Sequence, residues 1–109
     1  MYEGTVIPEA VIAEAGRRLL AAAPDARVIL FGSAVRGDMN QDSDLDFVVV
    51  EREVDDRHAE QIRLRRELRP LGIPVDVLVY SEAQVQEWGQ VYGTVLHTAL
   101  TEGRVLAAA

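Results

Sequence analysis

Apolar residues group along the chain in two ways, and each way predicts a different kind of element. Where they recur at intervals of three and four, they predict amphipathic helices. One such pattern begins at Pro8 and stops at Pro24. A second begins at a capping aspartate, Asp55 or Asp56, and reaches Arg69. These two stretches are predicted to be long helices.

Two further helices are predicted in the last third of the chain. Ser81 and Gln84 form a capping-box pattern, which predicts a short helix ending near Trp88. The final helix is predicted from apolar residues at helical spacing and a closing glycine, namely Val91, Val95, Ala99, Leu100 and Gly103.

Three other runs are too short and too continuously apolar to be amphipathic helices. Residues 27–32, 45–50 and 75–80 therefore predict strands that are buried on both faces. Strands that alternate with helices predict an α/β fold, in which helices cover a small and largely buried sheet. Because 109 residues suffice for one hydrophobic core, we expect a single domain over residues 1–109.

Composition narrows the functional classes. Eighteen acidic residues against eleven basic ones give a net charge of −7, so we expect no direct binding of nucleic acid. The chain has no cysteine and no lysine, which excludes disulfides, thiolate chemistry and a lysine-dependent phosphate loop. No stretch is apolar enough to cross a bilayer and no signal pattern opens the chain, so we expect a cytoplasmic protein without membrane contact.

Three aspartates interrupt the apolar pattern and are candidate metal ligands. Asp44 and Asp46 are two positions apart at the start of the second strand, so their side chains are predicted to share a face. Like charges held this close repel, and a cation such as Mg²⁺ or Mn²⁺ would compensate them. Asp76 interrupts the third strand. If that strand lies beside the second, all three carboxylates converge on one site.

A glycine–serine turn ends the first strand and supplies a second candidate feature. Gly32 and Ser33 are predicted to form a turn from strand to helix, where free backbone N–H groups favour a phosphate. Carboxylates that hold a metal opposite a phosphate cradle are typical of group transfer at phosphorus.

These residues also have other possible interpretations. Aspartates before strands and Gly-Ser pairs are common in ordinary turns, whereas an unpaired carboxylate inside a buried strand is costly. A calcium-binding loop starting at Asp38 fails at its sixth and twelfth positions, Ser43 and Val49. The two histidines, His58 and His97, lie in predicted helices and are interpreted as surface or interface residues.

The combined pattern resembles a known signature. Gly32-Ser33, ten intervening residues and Asp44-x-Asp46 match the GS-x10-D-x-D motif of the nucleotidyltransferase superfamily. The RG and SDLD segments within it resemble the minimal nucleotidyltransferases, MNT-type antitoxins that are often encoded beside a HEPN-domain toxin. Residues 75–80 match the family's third-carboxylate strand, and residues 99–106 resemble its C-terminal helix and tail. The resemblance implies the nucleotidyltransferase fold, a small mixed β-sheet packed against helices.

The resemblance also implies catalytic roles. Asp44 and Asp46 would bind the metal ions, Mg²⁺ or Mn²⁺. Asp76 would complete the metal site and help to deprotonate the acceptor. The chain would then be an enzyme, a protein adenylyltransferase.

A nucleotide site is implied in the same way. Gly32 and Ser33 would hold the β- and γ-phosphates of an NTP, with assistance from Arg36. Many relatives have an arginine or polar residue where this chain has Ala34. By the resemblance, AMP passes from ATP to a tyrosine of the partner HEPN toxin, which silences that toxin in a hetero-oligomer.

Two rival functions remain open on the sequence. An antitoxin with an idle site could neutralise its toxin by binding alone. A small-molecule nucleotidyltransferase of the antibiotic-modifying kind would usually need a second domain to grip the acceptor. Three intact carboxylates favour the protein-modifying enzyme.

Overall fold

The computed structural model describes residues 7–37 and 44–108, which form one four-stranded sheet with helices on both faces. The elements in chain order are α1 (Glu9–Ala22), β1 (Arg27–Phe31), α2 (Ser33–Arg36), β2 (Leu45–Glu51), α3 (Arg57–Glu67), a 3₁₀ turn (Arg69–Leu71), β3 (Val75–Ser81), α4 (Glu82–Trp88), α5 (Val95–Glu102) and β4 (Arg104–Ala108). The predicted α/β class and small mixed sheet are therefore confirmed.

The sheet has the strand order β3-β2-β1-β4. β2 and β3 are parallel and are joined through α3, whereas β1 is antiparallel to both β2 and β4. The backbone N–H of Leu45 donates to the carbonyl of Pro74 at 3.0 Å, so the parallel strands β2 and β3 begin at the same end of the sheet. The two strands on which the aspartates were predicted are thus direct neighbours.

Alternation along the strands divides the core between two faces. The first face packs on α1 and α3 through residues such as Phe47, Val49 and Leu64, which are fully buried. The second face packs on α4 and α5 through Val48 and Leu96, among others. Burial of each such side chain contributes about 1.5–3 kcal/mol. Because helices cover both faces of the sheet, successive residues of a strand are apolar on both sides, which explains the continuous apolar runs in the sequence.

Local capping signals agree with the structure. The Asp56 side chain accepts a hydrogen bond from the backbone N–H of Ala59 at 3.1 Å, so Asp56 is the N-cap of α3. At α4 the Ser81 hydroxyl accepts from the backbone N–H of Gln84 at 3.2 Å, and the Gln84 side chain accepts from the Ser81 backbone N–H at 2.9 Å. The predicted capping box is confirmed.

The C-terminal region departs from the prediction in two ways. The last helix begins at Val95 and not at Val91, because Thr94 is its N-cap and Gly93 before it has φ +89°. The residues after Gly103 form β4 beside β1, a strand that the sequence did not predict. A Cβ on Gly103 would meet the Ile29 side chain at 2.5 Å, so glycine is required where the chain crosses from α5 to the sheet.

A pair of glutamates lies at the far end of β2. Glu51 is only 8% exposed, and its Oε2 has no hydrogen-bond partner in the part of the chain that the structure describes. Its neighbour Glu60 accepts two hydrogen bonds from Arg63, at 2.8 and 2.7 Å. Burial, reinforced by the adjacent Glu60 carboxylate, raises the pKa of Glu51 to about 8. The Arg63 guanidinium lowers the pKa of Glu60 to about 2.

Across the described ranges, none of the helices is both long enough and apolar enough to span a bilayer.

Candidate active site

Two of the three predicted metal ligands lie side by side in the sheet. Asp46 on β2 is in direct register with Asp76 on β3, and both side chains are half-buried. Adjacent strands are about 4.8 Å apart, so two carboxylates in this arrangement are close neighbours. They lie on the second face of the sheet, which packs on α4 and α5, near the end at which β2 and β3 begin. The condition for convergence, that the third strand lies beside the second, is therefore met.

Asp44 lies at the mouth of the second strand. It lies one residue before β2 begins and its side chain is exposed. Its charge still acts on Asp46, because it contributes to the pKa shift of that carboxyl. The structure therefore puts Asp44 at the rim of the site.

The pKa of Asp46 reflects the acidic side chains that surround it. Burial is the largest cause that raises its pKa, followed by the charges of Asp76 and Asp44. The Arg36 guanidinium acts in the opposite direction but does not reverse the shift. The protein thus holds three acidic groups together with incomplete internal compensation. A cation bound here would relieve the remaining repulsion.

A metal site formed by these residues stays a prediction. Within residues 7–37 and 44–108, no three His, Asp or Glu side chains are grouped so that they could hold a metal ion as they stand. The donor chemistry nevertheless fits a hard divalent cation, since all the candidate ligands are carboxylate oxygens. Asp46 and Asp76 are already paired, and Asp44 would have to turn toward them.

Gly32 brings the turn after β1 against the carboxylate pair. It has φ +80° and ψ −150°, a conformation open essentially to glycine alone. A Cβ at this position would lie 2.5 Å from Oδ2 of Asp46. Any other residue would therefore collide with the carboxylate, so Gly32 is what allows the turn and Asp46 to approach each other.

The predicted turn from strand to helix is present as α2. The backbone N–H groups of Val35 and Arg36 both donate to the Gly32 carbonyl at 3.1 Å. Those of Ser33 and Ala34 belong to the first turn, where a helix offers no internal acceptor. This turn therefore presents two donors next to the carboxylates.

A cavity of about 360 Å³ connects these features. It is lined by Phe31, Gly32, Arg36, Asp46, Asp76, Leu78, Gly93, Val95 and Thr98. Its volume lies in the range of small-molecule sites. Four of the six predicted site residues line it, whereas Asp44 and Ser33 do not.

Five lining residues were not among the predicted site residues. Leu78 could have been found from strand alternation, because it lies two residues after Asp76 on the same strand. Phe31 could not, since it faces Asp46 only through the register between β1 and β2. Gly93, Val95 and Thr98 have no such signal, since they come from the α4–α5 connection and α5. Only the tertiary packing of α5 on the sheet brings them to the cavity.

Each of the two histidines lies in a helix, as predicted. His58 is exposed at the start of α3. His97 is half-buried in α5 and packs its ring on Tyr92, with ring centroids 5.6 Å apart. Neither histidine lines the cavity that holds the carboxylate pair.

Comparisons with known proteins agree with this geometry. Residues 12–98 match the family model for the nucleotidyltransferase domain. No curated protein sequence matches the chain significantly.

Three solved structures share the fold. A toxin–antitoxin crystallised with AMP-PNP is similar at 25% identity and a TM-score of 0.64, covering 89% of this chain and 73% of that one. A putative nucleotidyltransferase from Sulfolobus solfataricus has 19% identity and a TM-score of 0.59, covering 88% and 76%. A complex of tri-AMPylated Shewanella oneidensis HEPN toxin with MNT antitoxin has 22% identity and a TM-score of 0.57, covering 94% and 74%. With a family match over most of its length and the carboxylate pair beside the glycine turn, the chain belongs to the nucleotidyltransferase domain family.

Proposed function

We propose that this protein is a metal-dependent protein adenylyltransferase that moves AMP from ATP to a tyrosine hydroxyl of a HEPN-type toxin and thereby acts as its antitoxin. The observation that carries the proposal is the in-register pair Asp46 and Asp76 beside the Gly32 turn, in one cavity. The fold shared with an AMP-PNP complex and with a complex of AMPylated HEPN toxin supports it.

Mg²⁺ or Mn²⁺ would be held by Asp44, Asp46 and Asp76. The fit rests on the donor set, carboxylate oxygens on adjacent strands, and on the raised pKa of Asp46, which burial and its acidic neighbours cause and Arg36 offsets only in part. When bound, such an ion supplies Lewis-acid polarisation of phosphate oxygens.

The chain's own residues account for the remaining chemistry. The N–H groups of Ser33 and Ala34 would bind phosphate oxygens of ATP, and Arg36, which lines the cavity, would add positive charge. Asp76 would accept the proton of the acceptor hydroxyl, and the oxygen of that hydroxyl would form a bond to the α-phosphorus. The bond from that phosphorus to the β-phosphate oxygen breaks, and pyrophosphate leaves with its electron pair.

The acceptor would approach over the segment that closes the cavity. Trp88, Tyr92 and Val95 are 51%, 90% and 46% exposed, although they are large apolar or aromatic residues. Residues 88–95, which we term the docking segment, also contribute Gly93 and Val95 to the cavity wall. Within α5, Leu96 is buried in the core, whereas Val95 is exposed.

Intact-mass spectrometry of a co-expressed HEPN partner tests the proposal. We expect mass increments of one or more AMP groups, absent with the double variant Asp44→Asn/Asp46→Asn and retained with Asp55→Asn, an exposed carboxylate outside the cavity. A partner that is bound and silenced but unmodified would show that the protein acts by masking.

The role of the docking segment can be tested by comparing two valine substitutions. Val95→Ser should slow transfer while ATP binding is retained, because the acceptor and not the nucleotide would contact this residue. Val105→Ser, at a valine that is 59% exposed on β4, should change neither. Equal effects of the two substitutions on transfer would contradict the assignment.

A further inference from the structure

A second cavity, separate from the candidate active site, lies between α3 and the start of β3. It has a volume of about 370 Å³ and shares no lining residue with the site. Three arginines of its wall, Arg65, Arg66 and Arg69, come from the end of α3 and the turn that follows. Ile73 and Val75, both on the α3 side of the sheet, form part of its apolar surface. The cavity therefore combines concentrated positive charge with an apolar floor.

The arginines of this cavity differ from most of the others in their partners. Five arginines elsewhere form ion pairs with glutamates, namely Arg17, Arg18, Arg27, Arg63 and Arg104. Arg65, Arg66 and Arg69 make no side-chain hydrogen bond or ion pair within the described ranges. The chain has 18 acidic residues to 11 basic ones, so acidic partners are not scarce. Arg52 is also without such a partner among the described residues, but only Arg65, Arg66 and Arg69 line one cavity, and their grouped positive charge there favours an anionic ligand from outside.

The chemistry of the wall selects among anions. Guanidinium groups bind carboxylates and phosphates through paired N–H donors. No aromatic side chain of the described residues lines the cavity, so a nucleobase would lack the aromatic platform on which bases usually stack. A net charge of −7 opposes a long polyanion, whose affinity depends on many cationic contacts. Carboxylates with apolar side chains between them match both the arginines and the floor.

We propose that the cavity formed by Arg65, Arg66 and Arg69 binds an acidic, partly apolar segment of a second protein. Carboxylates of that segment would pair with the guanidinium groups, and its apolar side chains would cover Ile73 and Val75. This site is independent of the proposed transferase activity, because no residue is shared with the carboxylate cavity.

The test uses a fluorescein-labelled peptide of glutamate, aspartate and leucine, measured by polarisation against the whole protein. Arg65→Gln/Arg66→Gln/Arg69→Gln should weaken binding by about tenfold or more, since it removes several charge-assisted hydrogen bonds. The matched control removes the same charge elsewhere, with Arg17→Gln/Arg18→Gln/Arg52→Gln. It should weaken binding by about twofold at most, through long-range charge alone.

Two further measurements keep the result decisive. A peptide with glutamine and asparagine in place of its acids should not bind, and NMR signals of the three arginine Nε–H groups should shift with the acidic peptide. These signals report on the wild-type protein, so they serve even if the triple variant is unstable. Equal losses in both triple variants, absence of any shift, or tighter binding of inorganic phosphate or single-stranded RNA than of the peptide would overturn the proposal.

Discussion

The two ends of β2 each bring acidic side chains together, yet they resolve the repulsion differently. At the start, Asp46 lies beside Asp76, with Asp44 nearby. At the far end, Glu51 lies beside Glu60. Both groups involve the same strand, and in both the pKa of the carboxyl on β2 is raised.

The glutamate end is stabilised from within. The high pKa of Glu51 keeps a proton on that carboxyl, which lies beside the ionised Glu60. Arg63 donates to Glu60 and also to the Ala22 carbonyl at 3.0 Å, so the pair is tied to α1. One proton and one arginine therefore accommodate two neighbouring acids.

The aspartate end opens instead into a cavity. Asp46 and Asp76 line it together with Gly32, whose lack of a side chain keeps the approach clear. Arg36 offsets only part of the charge there. Two acidic pairs that share β2 therefore differ in their surroundings. A bound proton and Arg63 compensate the glutamates, whereas a cavity leaves the aspartates accessible.

Replacing one acid at each end should separate these roles most strongly. Asp46→Asn is expected to lower AMP transfer by roughly 10²–10³, because a carboxylate that would hold the metal ion, and with it the charge stabilisation of the reacting phosphate, is lost. Its metal-free fold should be no less stable, since repulsion is removed. Glu51→Gln should leave transfer unchanged. Mass spectrometry of the partner, run beside denaturation of each variant, measures both effects; equal activity losses would mean that the two ends are not distinct.

Gly32→Ala should destabilise the fold by about 2–4 kcal/mol, through backbone strain and the collision with Asp46. Gly37→Ala provides the control, because Gly37 also has a positive φ of +82°, yet a Cβ there would meet no atom of the described residues within 4 Å. That variant should lose only about 1–2 kcal/mol. Urea denaturation decides the matter, and similar losses for the two variants would show that the approach to Asp46 is not tight.

Two serines near opposite ends of the sheet sharpen the comparison. Ser33→Ala should weaken ATP binding by roughly one to two orders of magnitude, because a hydrogen bond to a charged group contributes about 1.5–3 kcal/mol. Ser81 is paired in register with Glu51 and caps α4, so Ser81→Ala should cost about 1 kcal/mol of stability and leave ATP binding intact. Calorimetry with a non-hydrolysable ATP analogue tests both. Unchanged affinity in folded Ser33→Ala would remove Ser33 from the phosphate site.

The glutamate end should also make stability depend on pH. A carboxyl with a raised folded-state pKa stabilises the fold at low pH, and that contribution is lost as the pH rises from 4.5 to about 8. Glu60 behaves in the opposite sense, since its stabilisation is lost as the pH falls from 4.5 to about 2. The pair should therefore stabilise most near pH 4.5, where it holds one proton in the folded and unfolded states alike.

Glu51→Gln should flatten the alkaline side of this profile. At pH 8 we expect the variant to be more stable than the wild type by about 1–2 kcal/mol, because a buried charge is replaced by an amide that can donate to Glu60. Urea denaturation at pH 5 and at pH 8 measures the change. A wild type with the same stability at both values would contradict the raised pKa of Glu51.

Elements whose signals are local could be predicted from the amino-acid pattern. Continuous apolar runs marked β1, β2 and β3, and capping residues marked the starts of two helices, Ser81 for α4 and either Asp55 or Asp56 for α3. The spacing of the glycine turn and the aspartates indicated the chemistry, because these residues lie at strand ends that the apolar pattern already located. Such signals depend on neighbours in the chain and need no knowledge of packing.

Tertiary structure alone decided the rest. β4 carries no strand signal of its own and exists because β1 offers it a free edge for pairing. The position of Val95 and Thr98 in the cavity depends on how α5 packs across the sheet. The contrast between the two acidic pairs has the same origin, since only the packing of α3 on the sheet brings Glu60 and its helix neighbour Arg63 to Glu51, while the Asp46 end faces a cavity. Burial and the approach of like charges arise between elements distant in the chain, so they are fixed only when the elements meet.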